Sequence, residues 1–535
     1  MAKVKKLRKK RIKEKKTVKR GERRLRGKHT EYSRKKEWLL YTRNQKEVIK
    51  RLMEGNYEMV TGKGWGFLDN FFTFLWHIGF LSVLNIEGAG FKRKVIAITK
   101  LLMTYSTKIL LGISSMNQVT EKLFGDIGLL KLLGFSVRQV KEGFTNRGKY
   151  EEGPMHKNTL ADATDRVTIE ESTEILNKTA RIIAKKNMVP KEGKYALDAT
   201  DLGTTEKYEG CGRKTINHRK RDKNGKIVEI PETTYGFKLL AVYEVNTRII
   251  VAAKIVKIQK SESNYTIEML KMAQANLGEK KIKTLLIDRG FIDGQDLWKI
   301  KNEYGVDFVI PAKTDMEITK DIRMLRNEQD KSIARGSRDV KKDGRTSLIG
   351  VDGFKSYIQY SKDLIKEGDK NKNGDPINAI MVYEYKSELY EPGKEKVFLT
   401  SLSAKKPLKV LDEYDLRSLI ENCCFRELKQ GWNLLSYPKK TRQAIECHVM
   451  LTLCIFSLCN AYRTKEGQKL TDAGIRRFRR ASSSDDIHKI VIYAGGYYGI
   501  FDVEELMIIF GKTPEHLFRT DEAEVKRKYG IDNSE

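Results

Sequence analysis

Several things are scarce in this chain of 535 residues, and each scarcity excludes something. Cysteine is rare. The six are Cys211, Cys423, Cys424, Cys447, Cys454 and Cys459, and none forms a C-x-x-C pair. Most lie in apolar helical patterns. This speaks against structural zinc and a disulfide framework, and for free thiols in a reducing, cytoplasmic setting. His77, His156, His218 and His448 match no zinc or nucleophile spacing and read as core or surface histidines. Long apolar runs are also lacking. Phe71–Leu84 and Val449–Leu458 fall short of the roughly 18–20 residues that span a bilayer. The first residues lack the apolar core of a secretory signal. Acids are outnumbered: 71 Asp and Glu face 103 Lys and Arg, for a formal charge of +32.

Half of that charge sits at the start. Residues 1–36 hold 19 Lys or Arg against Glu14, Glu22 and Glu31, a local +16. A basic tail alone reads as a solvated arm. A basic tail on a basic body points to a polyanion, most simply nucleic acid. The length allows two to four domains.

The patterning divides the chain. Residues 1–45 are a basic flexible arm without periodicity. Residues 46–185 are helical, with a dense apolar run at Phe67–Leu84, basic and aliphatic alternation at Lys94–Leu111, and short helices at Val119–Leu123, Ile127–Leu133 and Val137–Val140. This region reads equally as a DNA-binding region of helix-turn-helix type or as a structural helical layer. From Tyr195 the pattern turns extended, and residues 190–312 form the first part of an α/β core. Tyr195–Asp201 is a short strand ending in acids. Tyr235–Val245 and Arg248–Val256 make a hairpin at Asn246-Thr247. Ser263–Leu277 is a helix stopped by Gly278. Residues 313–395 are charged and rich in turns, with β-like runs at Tyr357–Tyr360 and Ala379–Tyr385, and read as a β-rich insertion. The core resumes over 396–463 with a helix at Asp415–Lys429 and a more buried one at Thr441–Tyr462. The C-terminal region, 464–535, has a basic patch at Arg476–Arg480, an apolar run at Ile490–Ala494 and a helical stretch at Phe501–Phe510.

Leu285-Leu286-Ile287-Asp288-Arg289-Gly290-Phe291 is the most informative stretch. It reads as a buried strand ending in an acid. A carboxylate there is costly unless it is paired or binds a cation. Two more acids stand at comparable places. Asp198 ends the first strand, and Glu421 lies on the helix after the insertion. The order strand–hairpin–helix–strand–helix–strand–helix puts Asp198 and Asp288 on neighbouring central strands, with Glu421 reaching across. Three such carboxylates make a hard-oxygen site suited to Mg²⁺ or Mn²⁺. Two ions about 4 Å apart support in-line phosphoryl displacement. Asp201 competes with Asp198 as the first ligand, and Glu427 with Glu421. Asp198 directly follows the strand residues. Glu421 sits among the apolar positions of its helix, six residues and a different face away from Glu427.

These residues carry a resemblance. Leu-Asp198-Ala-Thr, Ile-Asp288-Arg-Gly-Phe and Ile-Glu421-Asn-Cys-Cys-Phe-Arg-Glu-Leu-Lys resemble the acid motifs of bacterial insertion-sequence DDE transposases. More closely, residues 120–465 look like the group with a β-rich insertion between the second Asp and the Glu. Tyr414 and Arg417 precede Glu421 at the spacing Y-x₂-R-x₃-E of that group. The group's lysine is expected at Leu428, whereas this chain has Lys429, one place later. The resemblance implies an RNase H-like catalytic domain, a mixed central sheet flanked by helices. It implies catalytic and metal-binding roles for Asp198, Asp288 and Glu421, with Mg²⁺ (or Mn²⁺) at two ions per site. It implies DNA contacts by Tyr414, Arg417 and Lys429, while Arg289 reads as a phosphate-orienting residue or a strand-end ion pair. It further implies cut-and-paste transposition: hydrolysis at the element's ends, then attack of a freed 3′-hydroxyl on target DNA. The partners would be double-stranded DNA, terminal inverted repeats and target alike, and a second copy of the chain as a homodimer. The alternatives are a nuclease of the same fold without strand transfer, and a catalytically inactive DNA-binding descendant.

Overall fold

The computed structural model describes residues 41–62, 68–86, 96–144, 153–221, 227–340, 344–360, 375–466, 489–512 and 519–531. Residues 1–40 of the basic arm and the patch Arg476–Arg480 lie outside them. Fifteen strands follow the chain among the described residues: β1 (Thr42–Arg43), β2 (Met59–Gly62), β3 (Glu192–Thr204), β4 (Gly212–Arg221), β5 (Ile227–Glu244), β6 (Ile249–Lys257), β7 (Lys281–Ile287), β8 (Asp307–Pro311), β9 (Ala334–Val340), β10 (Gly344–Phe354), β11 (Ile377–Tyr385), β12 (Glu388–Leu389), β13 (Lys396–Thr400), β14 (Lys489–Ala494) and β15 (Tyr497–Asp502).

Eleven of them form one mixed sheet, running β4-β5-β3-β7-β8-β13-β11-β10-β9, with β6 also on β5 and β12 on β11. β3, β7 and β8 are parallel; every other pairing in this sheet is antiparallel. β6 is an almost unbroken aliphatic run because it is buried on both faces. The β5–β6 hairpin turns where the sequence places it. The buried Glu244 carboxylate closes it by accepting from the backbone N–H groups of Asn246, 3.0 Å, and Thr247, 2.6 Å. The strands of the charged insertion do not fold away from the sheet. β13 pairs with β8 and then with β11, so β9–β11 extend the same sheet.

Helices cover this sheet. Ile169–Lys185 starts at a capping box in which Thr168 and Glu171 satisfy each other's backbone N–H, and it buries Ile175, Leu176, Ala180 and Ile183. Arg442–Glu466 packs against it and against β6. That helix is long and apolar enough to cross a membrane, more so than its shorter apolar run suggests, but 94% of its apolar window is buried inside the protein. It is a central core helix. The N-terminal helices, including Leu68–Ile78 and Ile98–Leu110, share one continuous apolar core with the sheet. Leu68–Ile78 ends at Gly79, whose φ of 83° is left-handed, so the long run Phe67–Leu84 is two helices rather than one.

Four local expectations are corrected. Tyr357–Tyr360 is not a strand: Ile358–Tyr360 is a 3₁₀ turn, with the Tyr357 and Tyr360 rings stacked and both buried. Asp198 does not end its strand, because β3 continues to Thr204 against β5. The helix drawn over Asp415–Lys429 is broken: a helix covers Pro407–Asp415, a π turn Ile420–Phe425, and a second helix Arg426–Gly431. Phe501–Phe510 begins as β15 before the helix Val503–Ile509.

The two ends of the chain meet in a small second sheet of order β1-β15-β14-β2. Its own apolar cluster joins Val48 and Ile49 to Ile492, Phe501, Leu506, Ile509 and Tyr529.

Candidate active site

The strand register brings the first two acids together. β7 stops at Ile287, opposite Leu197 of β3, while β3 runs on. Asp198 is the first β3 residue to lose that neighbour, and Asp288 is the first residue after β7. The Asp288 N–H still points at the Leu197 carbonyl, 3.4 Å away. A step in the sheet edge thus sets two carboxylates side by side. Asp288 also caps its own turn, accepting from the Gly290 N–H at 3.2 Å.

Arg417 lies at the centre. Its Nη1 is 2.8 Å from Asp198 Oδ2 and 3.4 Å from Asp288 Oδ1, and its Nη2 is 2.9 Å from Glu421 Oε1. The three acids singled out from sequence therefore meet one guanidinium. Asp201, the competitor on β3, is exposed and lies 3.9 Å from Lys214 instead. Glu427 accepts from the Trp432 indole at 3.3 Å. Glu421 is not among apolar neighbours as its helical position suggests. Its side chain is half exposed on the π turn, within reach of the pair.

The electrostatics follow from burial. Burial pushes the Asp198 carboxyl up, to about 7, with Asp288 and Glu421 adding to the rise; Arg417 and the Ala199 N–H pull the other way and lose. On Arg417, burial opposes the charge, but Tyr414, Asp198, Asp288 and Glu421 together outweigh it and raise its pKa. The two shifts differ in which effect wins. Asp198 is the more deeply buried partner, and there desolvation dominates. The Arg417 Nε is buried without an acceptor.

The donor chemistry, three carboxylates and no nitrogen or sulfur, suits a hard divalent cation. The arrangement as it stands suits a guanidinium. Among the described residues, no group of three or more His, Cys, Asp or Glu side chains is assembled to hold a metal ion. Arg417 supplies the protein's own positive charge at this centre.

Tyr414 packs its ring against Phe398, with centroids 4.6 Å apart, and beneath Arg417. It braces the guanidinium. Lys429 reaches back to β3 and donates to Thr200 Oγ1 at 2.7 Å, two residues from Asp198. Leu428, the position counted from the motif, is fully buried. A π turn, Ile420–Phe425, holds Glu421 and precedes Lys429. A π turn holds one more residue than an α turn, so Lys429 projects one residue later than α-helical counting from Glu421 gives. Arg289 sits on the 3₁₀ turn after Asp288 and lines a cleft of about 770 Å³. Lys313, Lys394 and Lys396 line the same cleft, and sequence reading had not singled them out. The only signal was their place at the two ends of the charged insertion.

One comparison with known proteins falls on the segment that holds these acids. The family described as "Transposase DDE domain" matches residues 190–458. No curated protein matches the chain. Among solved structures, a cryo-EM structure of the piggyBac transposase synaptic complex with hairpin DNA is similar at 9% identity, covering 85% of this chain and 80% of that one, with a TM-score of 0.35.

Proposed function

The chain belongs to the transposase DDE-domain family, and from that premise we propose that it is a metal-dependent DNA transposase of cut-and-paste type. It would hydrolyse DNA at the ends of its element and transfer the freed 3′-hydroxyl to target DNA, working as a homodimer on double-stranded DNA. The bacterial insertion-sequence group with a β-rich insertion and the motif Tyr414-x₂-Arg417-x₃-Glu421 is the proposed subfamily. The observation that carries the reading is the meeting of Asp198, Asp288 and Glu421, far apart in sequence, around one cation. The order β6-β5-β3-β7-β8, with three antiparallel strands leading into three parallel ones, supports an RNase H-like core.

Asp198, Asp288 and Glu421 would hold the divalent ions, Mg²⁺ with Mn²⁺ as substitute. When bound, such ions activate the attacking hydroxyl and stabilise the leaving oxygen. The chain's own cations do the rest. Arg417, with one N–H already lacking an acceptor, binds a phosphate oxygen of the substrate. Lys429 and Arg289 hold the backbone on either side, and Tyr414 keeps Arg417 oriented. The cleft beside Asp288, with Lys313, Lys394 and Lys396 on its walls, receives the strand.

Incubation of end-labelled element DNA with a plasmid and Mg²⁺ tests this. Joined product is expected. Cleavage without joining would leave a nuclease; binding without either would leave a DNA-binding descendant.

A further inference from the structure

β4 and β5 continue past the sheet as a ribbon. β5 pairs with β3 only as far as Tyr235 and with β6 only as far as Phe237, so Ile227–Thr234 have β4 alone as partner. The direction is set by register. β5 is antiparallel to β3, and Ala241 lies opposite Asp198. The N-terminal half of β5 therefore projects beyond the acids, on the side where β7 stops and Asp288 begins. From Ala241 to Ile227 is 14 residues, about 45 Å at strand spacing; from Ala241 to Tyr235 is 6, about 20 Å.

The composition of β4 is one-sided. Arg213–Arg221 holds Arg213, Lys214, Arg219, Lys220 and Arg221 and no acid. Its partner strand brings only Glu229, opposite Arg219, and Glu232, opposite Ile216. Lys214 has one weak tie, to Asp201 at 3.9 Å. Among the described side chains of the ribbon, Arg213, Thr215, Ile216, Asn217, Pro231 and Glu232 are exposed, and none belongs to either apolar core. A two-stranded ribbon on its own is marginal in water.

We infer that the β4–β5 ribbon is a second DNA-binding element, gripping duplex DNA about one helical turn from the bond at the acids. Taking duplex DNA as its ligand rests on the proposed function. A two-stranded ribbon fits the major groove, and one turn of duplex is about 34 Å, inside the roughly 20–45 Å of strand spacing from Arg213, paired with Tyr235, to Arg221, paired with Ile227. The ribbon is thus a ruler: its length fixes how far from the reacting bond the duplex is held.

The experiment is direct binding to a duplex of about three helical turns, without metal, over a range of salt. The full chain is compared with the variant Arg213→Gln, Lys214→Gln, Lys220→Gln, Arg221→Gln and with a chain in which residues 217–231 are replaced by Asn-Gly. Each lost phosphate contact lowers the slope of log affinity against log salt by about 0.9. The expected result is a slope lower by about 3 or more in both variants and an affinity at least about tenfold weaker at physiological salt, with thermal unfolding unchanged. On a duplex shorter than one turn the variants should match the parent. An unchanged slope in both folded variants overturns the inference. So does loss of a dimer with unchanged affinity per chain, which makes the ribbon an arm between copies, or new aggregation alone, which makes its charges guards of a sheet edge. Because no cleavage is read, the reading of the acids can fail while the ribbon stands, and the reverse.

Discussion

Arg417→Met keeps most of the side chain's apolar length and removes its charge. In the protein that charge lies within 3.4 Å of all three acids. Taking one partner from a buried ion pair costs about 3–5 kcal/mol, because the remaining charge is left uncompensated. Glu421 is half exposed and adds little, since water already screens it. Asp198 decides the outcome. Its carboxyl sits at about 7 even with Arg417 present. The unfolded chain releases that proton near pH 4 and the folded chain keeps it, so the folded state binds more protons between those limits. Stability from this group is present below about pH 4 and falls as pH rises toward 7, by on the order of 4 kcal/mol. Without Arg417 the folded pKa rises further and the loss extends to higher pH. The variant should therefore unfold about 3 kcal/mol more easily near pH 8 in the absence of divalent ions, and be closer to the parent near pH 6. Mn²⁺ should then restore more stability to the variant than to the parent, since three carboxylates no longer share a guanidinium. Denaturant unfolding with chelator and with Mn²⁺ measures both. Equal stability near pH 8 without metal, or an equal response to Mn²⁺, would refute the view that Arg417 neutralises these acids.

Other outcomes are more quickly stated. Asp288→Asn should lose cleavage by about a thousandfold or more while duplex binding is kept; gel assays of both on one preparation check it. Leu428→Ala should cost about 3 kcal/mol of stability, whereas Lys429→Ala should leave stability nearly unchanged and lower the salt slope of DNA binding by about 0.9; the reverse pattern would contradict the π-turn register. His448 is fully buried, and burial followed by Lys108 lowers its pKa to about 3. The unfolded chain takes up a proton as pH falls below about 6.5 and the folded chain does not, so stability is lost from there downward, by on the order of 4–5 kcal/mol. His448→Phe should flatten this fall in unfolding measured from pH 7 to about 4.

Much of the sheet was legible because its strands announce themselves locally. β7 is an aliphatic run with a polar lead-in and a glycine stop, and the β5–β6 hairpin has its turn residues in place. Asp288 was legible for the same reason. Asp198 was legible as an acid in a strand but not as the point where a neighbour ends, since that depends on where β7 stops. Arg417 was read as a contact for DNA. Its meeting with the three carboxylates depends on chain segments about 130 and 220 residues away, for which a local pattern has no sign. Lys429 was legible as the lysine nearest the expected position, but its reach to Thr200 on β3 was not, because it depends on how the turns between Glu421 and Lys429 are wound. The merging of β9–β11 into the main sheet was hidden by charge: the exposed faces of β9 and β10 carry the polar residues that made the segment look separate.

The small sheet built from both ends has a consequence for synthesis. The Gln45 side chain donates to the Ile500 carbonyl, and β1 pairs with β15, across more than 450 positions of chain. No shorter nascent chain can close that sheet. The helices Gln45–Met53 and Val503–Ile509 must wait for each other while the DDE domain between them is already complete. Pairings of such separation are slow to find because of the loop that must be closed first. Residues 1–36, half of the chain's formal charge, thus leave the ribosome long before the strand that follows them has a partner to dock on. A message broken before the codon for Tyr497 would yield a protein with its three acids in place and its two ends apart.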